Sequence, residues 1–414
     1  MGYEKYNISE KPEWDKCFNM LLDDRYSEIE VNGPDAWFTK VNGRRERISN
    51  IRLGTLDRLY EGIEAGLIPF VHSPWPFKKD SYIYEGPLRY KVEEGTPHER
   101  EIRGRCHMVL PPAADYPQIT IAKKSTALAT LDTIAQNGSM STEMLAFLRI
   151  AVEAELTIAV SGGTGAGKTT ILEAIAKNFR YDSRIGVAED APELYLSQPN
   201  VTYLHSVPWA PGMNPNDVAT LSWVVMQFQR MRTDRIIIGE TRGAEFADFL
   251  VAANSGMDGS ITTLHANTPV ECLQKMTGFA MKATGSPARI VNGDIAGAVD
   301  IIIQLIYTAD GKYRTSEICE VTNTLSNDET ARITTNSLYK WDRTTDLFEK
   351  KGMVSDELRR KLRNKGINVE PLLEQPIGKT DSFHSNSVQL KSMLDTAGVV
   401  DRDKPEEAPT KRTI

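Results

Sequence analysis

One stretch of the sequence, Val160–Thr170, constrains this chain more than any other. Its residues VSGGTGAGKTT fit the pattern G-x-x-x-x-G-K-[ST] from Gly162 to Thr169. An apolar, β-prone run precedes it at 156–160, and a helix-prone run follows at 171–176. This order of strand, glycine loop and helix predicts a phosphate-binding loop, because the glycines let successive backbone N–H groups face one anion. The alternative is a glycine-rich turn that only joins a strand to a helix.

Each residue of the loop has an expected contact with a nucleotide. Lys168 is predicted to reach the β- and γ-phosphates, and the Thr169 hydroxyl is predicted to hold Mg²⁺. ATP and Mg²⁺ are therefore the predicted cofactors. The predicted nucleotide-binding residues are Gly162, Gly163, Thr164, Gly165, Ala166, Gly167, Lys168, Thr169 and Thr170.

Length and composition allow an ordinary globular protein. The chain has 414 residues, of which 40% are hydrophobic and 25% charged. At about 150 residues per domain, this length predicts two or three domains. The formal net charge of −7 argues against a chain-wide basic surface for binding nucleic acid, but it does not exclude a local basic channel.

Cysteine usage and hydropathy indicate the compartment. The four cysteines form no C-x-x-C pair and no histidine stands at metal-ligand spacing, which is typical of thiols in a reducing compartment. The N-terminus is polar, and the longest apolar runs fall far short of the roughly 20 residues that a spanning helix needs. We expect a soluble cytoplasmic protein that reaches a membrane only through partners.

Patterning divides the chain into five segments. Residues 1–20 lack strong periodicity and predict a loose arm, whereas 21–125 mix short β-like runs with one helical stretch and predict a smaller α+β domain. Strands and helices alternate over 126–350, which predicts an α/β domain with a mostly parallel sheet. Residues 351–366 predict a basic helix that is either solvated or binds a partner. The polar, proline-punctuated segment 367–414 predicts disorder.

Three strands of the α/β domain are predicted to end in polar side chains, and these ends share one edge of a parallel sheet. Glu240 is the first choice to orient or deprotonate an attacking water, and the alternative is a helix-capping glutamate. Glu189 stands beside Asp190, a pair that Mg²⁺ with its waters would balance; the alternative is a solvated acidic turn. His265 is a candidate sensor of the γ-phosphate, although a lone histidine is more often structural.

In this order, the motifs resemble the type II/IV secretion ATPase family, the RecA-like motors of protein secretion, conjugation and pilus assembly. The sequence is most similar to the branch that contains tight-adherence pilus ATPases and conjugation-type secretion ATPases. The resemblance spans about residues 20 to 350. It is carried by the stretches Glu28–Pro34, Arg105–Pro112, Ser161–Thr170, Ala188–Leu194, Arg230–Gly243 and Gly256–Asn267.

The resemblance implies a RecA-like fold and a hexameric ring, with each nucleotide between the N-terminal domain and the RecA-like domain. It implies catalysis by Glu240, a regulatory or catalytic role for Glu189, which is also a candidate for the metal shell, and a phosphate-proximal position for His265. Arginines from the N-terminal domain or a neighbouring subunit would complete the charge balance. Arg105 matches best, Arg230 and Arg232 are weaker candidates, and the alternative for each is a surface salt bridge.

One position departs from the family pattern. The family has arginine where this chain has Ala122, followed by Lys123 and Lys124. A lysine is not an equivalent bidentate clamp for phosphate. The phosphate contact of the family arginine is therefore made by Lys123 instead, made by Arg103 or Arg105, or weakened in this chain.

We thus expect a Mg²⁺-dependent ATPase that forms a ring and powers a secretion or conjugation apparatus or pilus assembly. The expected partners are inner-membrane platform proteins at the inner face of the cytoplasmic membrane, without strong intrinsic binding to nucleic acid. Two alternatives stay open at this point. One is a RecA-like nucleic-acid translocase, and the other is a nucleotide-gated scaffold with little turnover.

Overall fold

The computed structural model describes residues 12–23, 25–41, 44–73, 76–92, 100–124, 129–207, 218–324, 332–368, 378–380 and 387–399. The chain divides into two compact units, residues 1–128 with 191–193, and residues 129–190 with 194–414. The boundary predicted between residues 125 and 126 lies outside the described residues. Across the described part of the chain, no helix is both long enough and apolar enough to span a bilayer.

The first unit contains a six-stranded antiparallel sheet in the order β3-β2-β1-β6-β5-β4. On β1, Ile29 and Val31 are buried while their neighbours are more exposed, so one face of the sheet packs on helices. The α2 helix continues as a π-helical turn at Ile63–Leu67 and a 3-10 turn at Ile68–Phe70. The elements are α1 (Pro12–Leu21), β1 (Tyr26–Asn32), β2 (Trp37–Val41), β3 (Arg44–Arg47), α2 (Leu56–Gly62), β4 (Ile83–Val92), β5 (Arg100–Val109) and β6 (Gln118–Lys124).

The α1 helix corrects the loose arm expected for residues 1–20. Trp14, Cys17, Phe18 and Leu21 repeat at helical spacing, and all four are buried in the core of the first unit. The Trp14 ring lies 5.0 Å from that of Trp37, between ring centroids. Aromatic packing against the sheet therefore orders residues 12–21. Residues 1–11 lie outside the described residues.

The second unit is an α/β unit around a ten-stranded sheet in the order β16-β15-β14-β13-β12-β7-β11-β10-β8-β9. Its strands are β7 (Ile158–Gly162), β8 (Ile185–Glu189), β9 (Val201–His205), β10 (Arg235–Ile238), β11 (Ile261–Leu264), β12 (Ile301–Tyr307), β13 (Tyr313–Thr324), β14 (Arg332–Asp342), β15 (Leu347–Lys350) and β16 (Gly378–Thr380). Its helices are α3 (Leu131–Gln136), α4 (Thr142–Glu153), α5 (Lys168–Ala176), α6 (Leu221–Arg230), α7 (Glu245–Ala253), α8 (Pro269–Thr284), α9 (Ala288–Ala298), α10 (Asp356–Asn364) and α11 (Ser387–Ala397).

The strands from β12 to β9 pair in parallel, whereas β13 to β16 extend the sheet as antiparallel strands. Ile237 belongs to one hydrophobic cluster, and Ile236 and Ile238 belong to another. Because successive side chains of a strand point to opposite faces, the two clusters cover both faces of the sheet. The predicted parallel sheet, covered on both sides, is confirmed, and the antiparallel extension is an addition.

The helix at the predicted basic segment is α10, and it is not simply solvated. Leu358 and Leu362 are buried in the domain core, and the Lys361 ammonium lies 2.8 Å from an Asp300 carboxylate oxygen. Its apolar stripe gives α10 a packing role within its own unit. The helix lies at the surface with its other face solvated, as expected, and the buried stripe is an addition.

The disorder expected for residues 367–414 is wrong for α11. Leu390, Met393, Leu394 and Ala397 lie on one face of this helix and are buried in the same cluster as residues of α4. Helix α4 itself begins at Thr142, and the Ser141 hydroxyl caps it by accepting a hydrogen bond from the Met144 N–H at 3.3 Å. Residues 400–414 lie outside the described residues.

Candidate nucleotide-binding site

The predicted phosphate loop joins β7 to α5. Gly165 and Gly167 have φ values of 73° and 88°, in the region that favours glycine. Gly167 is the N-cap of α5 and has no side chain that could cap the helix. The first N–H groups of α5 are therefore directed at the loop, together with the positive end of the helix dipole. Local sequence thus folds this segment into an anion site.

Lys168 is buried at the start of α5, and its ammonium is held by three neighbours. Its Nζ lies 3.0 Å from the Gly163 carbonyl oxygen, 3.2 Å from the Gly162 carbonyl oxygen and 3.2 Å from Nδ1 of His265. Burial lowers the pKa of Lys168 from its ordinary value, and the Glu240 carboxylate opposes that shift. The loop thus folds around the cation that is expected to meet phosphate.

Glu240 follows β10, and both of its carboxylate oxygens are engaged. Its Oε1 lies 2.7 Å from Nε2 of His265, and its Oε2 accepts a hydrogen bond from Nη2 of Arg242 at 2.5 Å. Burial is the largest influence on its pKa and raises it, but the hydrogen bond and charge of Arg242, with His265 and Lys168, leave the pKa below its ordinary value. Glu240 is therefore ionised at neutral pH, as the predicted role of a base requires.

His265 follows β11 and connects Glu240 to Lys168. Burial, followed by the charge of Lys168, lowers the pKa of His265. The ring is therefore neutral at neutral pH, and its contacts assign the tautomer: Nε2–H donates to Glu240, while Nδ1 accepts from Lys168. Nζ of Lys275 donates to the His265 carbonyl oxygen at 2.6 Å, which fixes the backbone there. The structure thus brings three predicted residues into one hydrogen-bonded chain.

Thr169 and Glu189 offer oxygen atoms of the kind that Mg²⁺ binds. Glu189 ends β8 with 4% of its surface exposed, and its Oε1 accepts a hydrogen bond from the Leu194 N–H at 3.0 Å. Thr169 lies in the first turn of α5 and is partly exposed. Among the described residues, no group of three or more Asp, Glu, His or Cys could hold a metal ion alone. This donor set fits Mg²⁺, which keeps several waters and binds one or two protein ligands plus phosphate.

Two residues of the site were not predicted. Glu245, at the start of α7, accepts hydrogen bonds from the N–H groups of Arg242 and Gly243 at 2.5 and 2.7 Å, which folds the turn after β10. Arg242 then reaches back to Glu240, and its Nη1 lies 3.8 Å from Oδ2 of Asp190. The spacing of Glu240 and Arg242, two residues apart after a strand, was the signal that could have indicated this pair.

The candidate arginines belong to other elements of the chain. Arg105, on β5 of the first unit, donates to Oε2 of Glu85 at 3.0 Å, and it is the cross-strand partner of Ala122. Arg230 ends α6 and Arg232 follows it, and both are exposed. Their contribution to a phosphate site stays a prediction.

Lysines and arginines around Ala122 also have partners within the first unit. Nζ of Lys123 donates to the Asp23 carbonyl oxygen at 3.3 Å, and Arg103 pairs with Glu101 at 2.5 Å. Arg103 and Arg105 are two residues apart on β5, and Arg105 pairs with Ala122, so all three side chains lie on the same face of the sheet. An arginine next to position 122 is therefore present on a neighbouring strand.

A phosphate loop between β7 and α5, with an ionised glutamate at the end of β10, a parallel strand separated from β7 by β11, defines a RecA-like P-loop protein. The family model described as "Type II/IV secretion system protein" matches residues 89–369, more than half of the chain. The chain therefore belongs to the type II/IV secretion system protein family, and the resemblance seen in the sequence is confirmed.

Individual relatives are similar over about half of this chain. A putative conjugal transfer protein of Mycobacterium tuberculosis is 36% identical over 216 residues, which cover 52% of this chain and 60% of the relative. The type IV secretion system protein VirB11 of Brucella suis is 32% identical over 229 residues, covering 49% of this chain and 63% of that protein. The matched region thus spans less than two thirds of the length of these relatives.

Solved structures confirm the fold class. The ATPase DotB of Yersinia pseudotuberculosis has a TM-score of 0.54 at 13% identity, covering 97% of this chain and 93% of that one. The DotB ATPase of Legionella pneumophila has a TM-score of 0.52 at 17% identity, covering 97% and 95%. At these identities, the likeness concerns the fold alone.

Proposed function

We propose that the protein is a Mg²⁺-dependent ATPase that works as a hexameric ring and drives a type IV secretion or conjugation apparatus, or pilus assembly. It would act at the inner face of the cytoplasmic membrane through platform proteins. The observation that carries the proposal is the chain of contacts from Lys168 through His265 to Glu240, at 3.2 and 2.7 Å. A phosphate loop accounts for binding, and an ionised glutamate at its edge accounts for hydrolysis. The names of the relatives support conjugation and secretion.

Binding begins with an exchange of partners at the loop. N–H groups at the start of α5 take the phosphate oxygens, and the Lys168 ammonium leaves the carbonyl of Gly163 for the β- and γ-phosphates. Thr169 and Glu189 would hold Mg²⁺, which supplies neutralisation of phosphate charge. The Lys168 ammonium therefore already lies next to the expected position of the phosphates before ATP binds.

Hydrolysis requires Glu240 to accept a proton from water. Each of its oxygens accepts one hydrogen bond and keeps a second lone pair, so a water can bind to Glu240 beside His265 and Arg242. His265 is fixed through its carbonyl by Lys275, whereas 56% of the Arg242 side chain is exposed. The Arg242 cation would then lie near the charge that develops on the phosphate.

The test is phosphate release by the purified full-length chain with ATP and Mg²⁺. Lys168→Ala is expected to abolish binding or turnover, whereas Glu240→Gln is expected to keep ATP binding and stop hydrolysis. Glu357→Gln, the same chemical change on the exposed face of α10, is the matched control and should behave as wild type. Normal turnover by Glu240→Gln would remove Glu240 from the base role, and a wild-type chain that binds no ATP would overturn the proposal.

A further inference from the structure

The hairpin between β12 and β13 carries two exposed tyrosines. Tyr307 and Tyr313 are register partners across the hairpin, and their ring centroids are 4.8 Å apart. Their exposed fractions are 44% and 49%. A cross-strand aromatic pair stabilises a hairpin, but this one also leaves a large flat apolar surface in contact with solvent.

The tyrosine pair stands at the rim of the phosphate loop. Strand β12 runs parallel to β7 with Leu305 opposite Gly162, so β12 continues past the point where β7 becomes the loop. The Tyr313 ring lies against Gly167, with its Cδ1 atom 3.4 Å from the position that a Cβ on Gly167 would occupy. Gly167 directly precedes Lys168. The rings therefore border the site where phosphate is expected.

The turn that presents the two rings is held by its own hydrogen bonds. The Thr308 N–H donates to the Lys312 carbonyl oxygen at 2.9 Å, and the Lys312 N–H donates to the Thr308 hydroxyl at 3.0 Å. Gly311 has a φ of 84°, which the turn requires. Little conformational freedom is left to lose when a ligand packs on this surface.

We infer that Tyr313, supported by Tyr307, is the stacking platform for the nucleobase of the bound nucleotide; the inference rests on the proposed function. A nucleotide held by its phosphates must lay its sugar and base along the rim of the loop, where these rings lie. Every base has a π-face, so stacking adds affinity and reads no base edge. The platform therefore strengthens ATP binding and discriminates little between ATP and GTP.

The experiment compares a ligand that has a base with one that lacks it. Isothermal titration calorimetry of the full-length chain, with Mg²⁺, measures the dissociation constants of ATP, GTP and inorganic tripolyphosphate. Tyr313→Leu keeps an apolar side chain but removes the ring, and it is expected to weaken ATP and GTP about tenfold or more while tripolyphosphate binds as to wild type. Tyr313→Phe should bind ATP normally, and Tyr307→Leu should show a smaller loss.

Tyr181→Leu is the matched control, because Tyr181 is also an exposed tyrosine of the same unit, at 63% exposure. Equal weakening of ATP and tripolyphosphate by Tyr313→Leu would show that the ring only supports the loop, and unchanged ATP binding would show that it does nothing; either result overturns the inference. If the wild-type chain binds ATP no more tightly than tripolyphosphate, the base adds no affinity, and only the inference about the stacking platform fails. If it binds neither ligand, the proposed function fails with it.

Discussion

At the scale of single residues, Arg242 controls the basicity of Glu240. Its hydrogen bond and charge are the leading influences that lower the pKa of Glu240, against burial, which is larger and raises it. Arg242→Ala leaves burial less opposed, so the pKa of Glu240 should rise. Because the base role proposed for Glu240 requires the ionised carboxylate, the acid limb of the kcat/KM profile should move to higher pH, as measured between about pH 5 and 8.

Arg289→Ala is the control for this prediction, since Arg289 is an exposed arginine on α9. That variant should keep the wild-type profile, and Arg242→Lys should fall between wild type and Arg242→Ala. A lower rate of Arg242→Ala with an unmoved acid limb would contradict control of the Glu240 pKa by Arg242. The arginine would then act only by neutralising charge on the phosphates.

His265 gives folding stability a pH dependence of definite sign. Burial, with Lys168, lowers its pKa in the folded protein, so in acid the unfolded chain takes up a proton at higher pH than the folded chain does. Stability should therefore fall as pH falls through about 6.5, the ordinary value for histidine. His265→Gln removes this contribution, so its melting temperature should drop less between about pH 7 and 5.5. An equal drop in both proteins would contradict the assignment.

At the scale of elements, α11 is a structural part of the second unit. Leu394 is 2% exposed and lies in the cluster that also contains α4 and β7. Leu394→Ala should lower the free energy of unfolding by about 2–5 kcal/mol, because it leaves a cavity in a packed cluster. Thermal unfolding of Leu394→Ala and of Lys391→Ala, an exposed residue of the same helix, measures the difference. Equal melting temperatures would show that α11 does not contribute to the core.

Sequence predicts best those elements whose signal is local. The order of β7, loop and α5 follows from glycine positions, and the Ser141 cap follows from residue type. The polar ends of three strands could be placed at one edge because parallel strands align their carboxyl ends. These local rules place Lys168, Glu240 and His265 at one edge of the sheet.

The elements that sequence missed depend on distant partners. Helices α1 and α11 each have one narrow apolar stripe inside a polar segment, and only burial against another element makes such a stripe stable. The bond from Arg242 to Glu240 depends on the turn that Glu245 folds. Likewise, Tyr313 reaches Gly167 only because β12 pairs with β7. Such contacts arise from tertiary pairing, which residue patterns do not encode.

At the scale of the whole molecule, Arg105 is the candidate arginine that would complete the charge balance at the phosphates. Arg105 now pairs with Glu85, whose pKa is lowered to about 2, first by the hydrogen bond of His107 and then by Arg105. This pair is about one third exposed, so its net stabilisation is small, and exchange of Glu85 for phosphate costs little. Arg105 is therefore available as a phosphate ligand within the proposed ring.

Mixed rings decide whether Arg105 serves its own chain or a neighbour. We predict that Arg105→Ala and Glu240→Gln are each nearly inactive alone but regain ATPase activity when co-expressed. If Arg105 acts on the neighbouring chain, about a quarter of the interfaces in a randomly mixed ring combine an intact Glu240 with an intact Arg105. Co-expression of Lys168→Ala with Glu240→Gln is the control and should stay inactive, because both changes lie in the same loop-bearing unit. If the mixture of Arg105→Ala with Glu240→Gln is as inactive as the control mixture, Arg105 acts in the site of its own chain. If Arg105→Ala alone has wild-type activity, Arg105 is not part of the site.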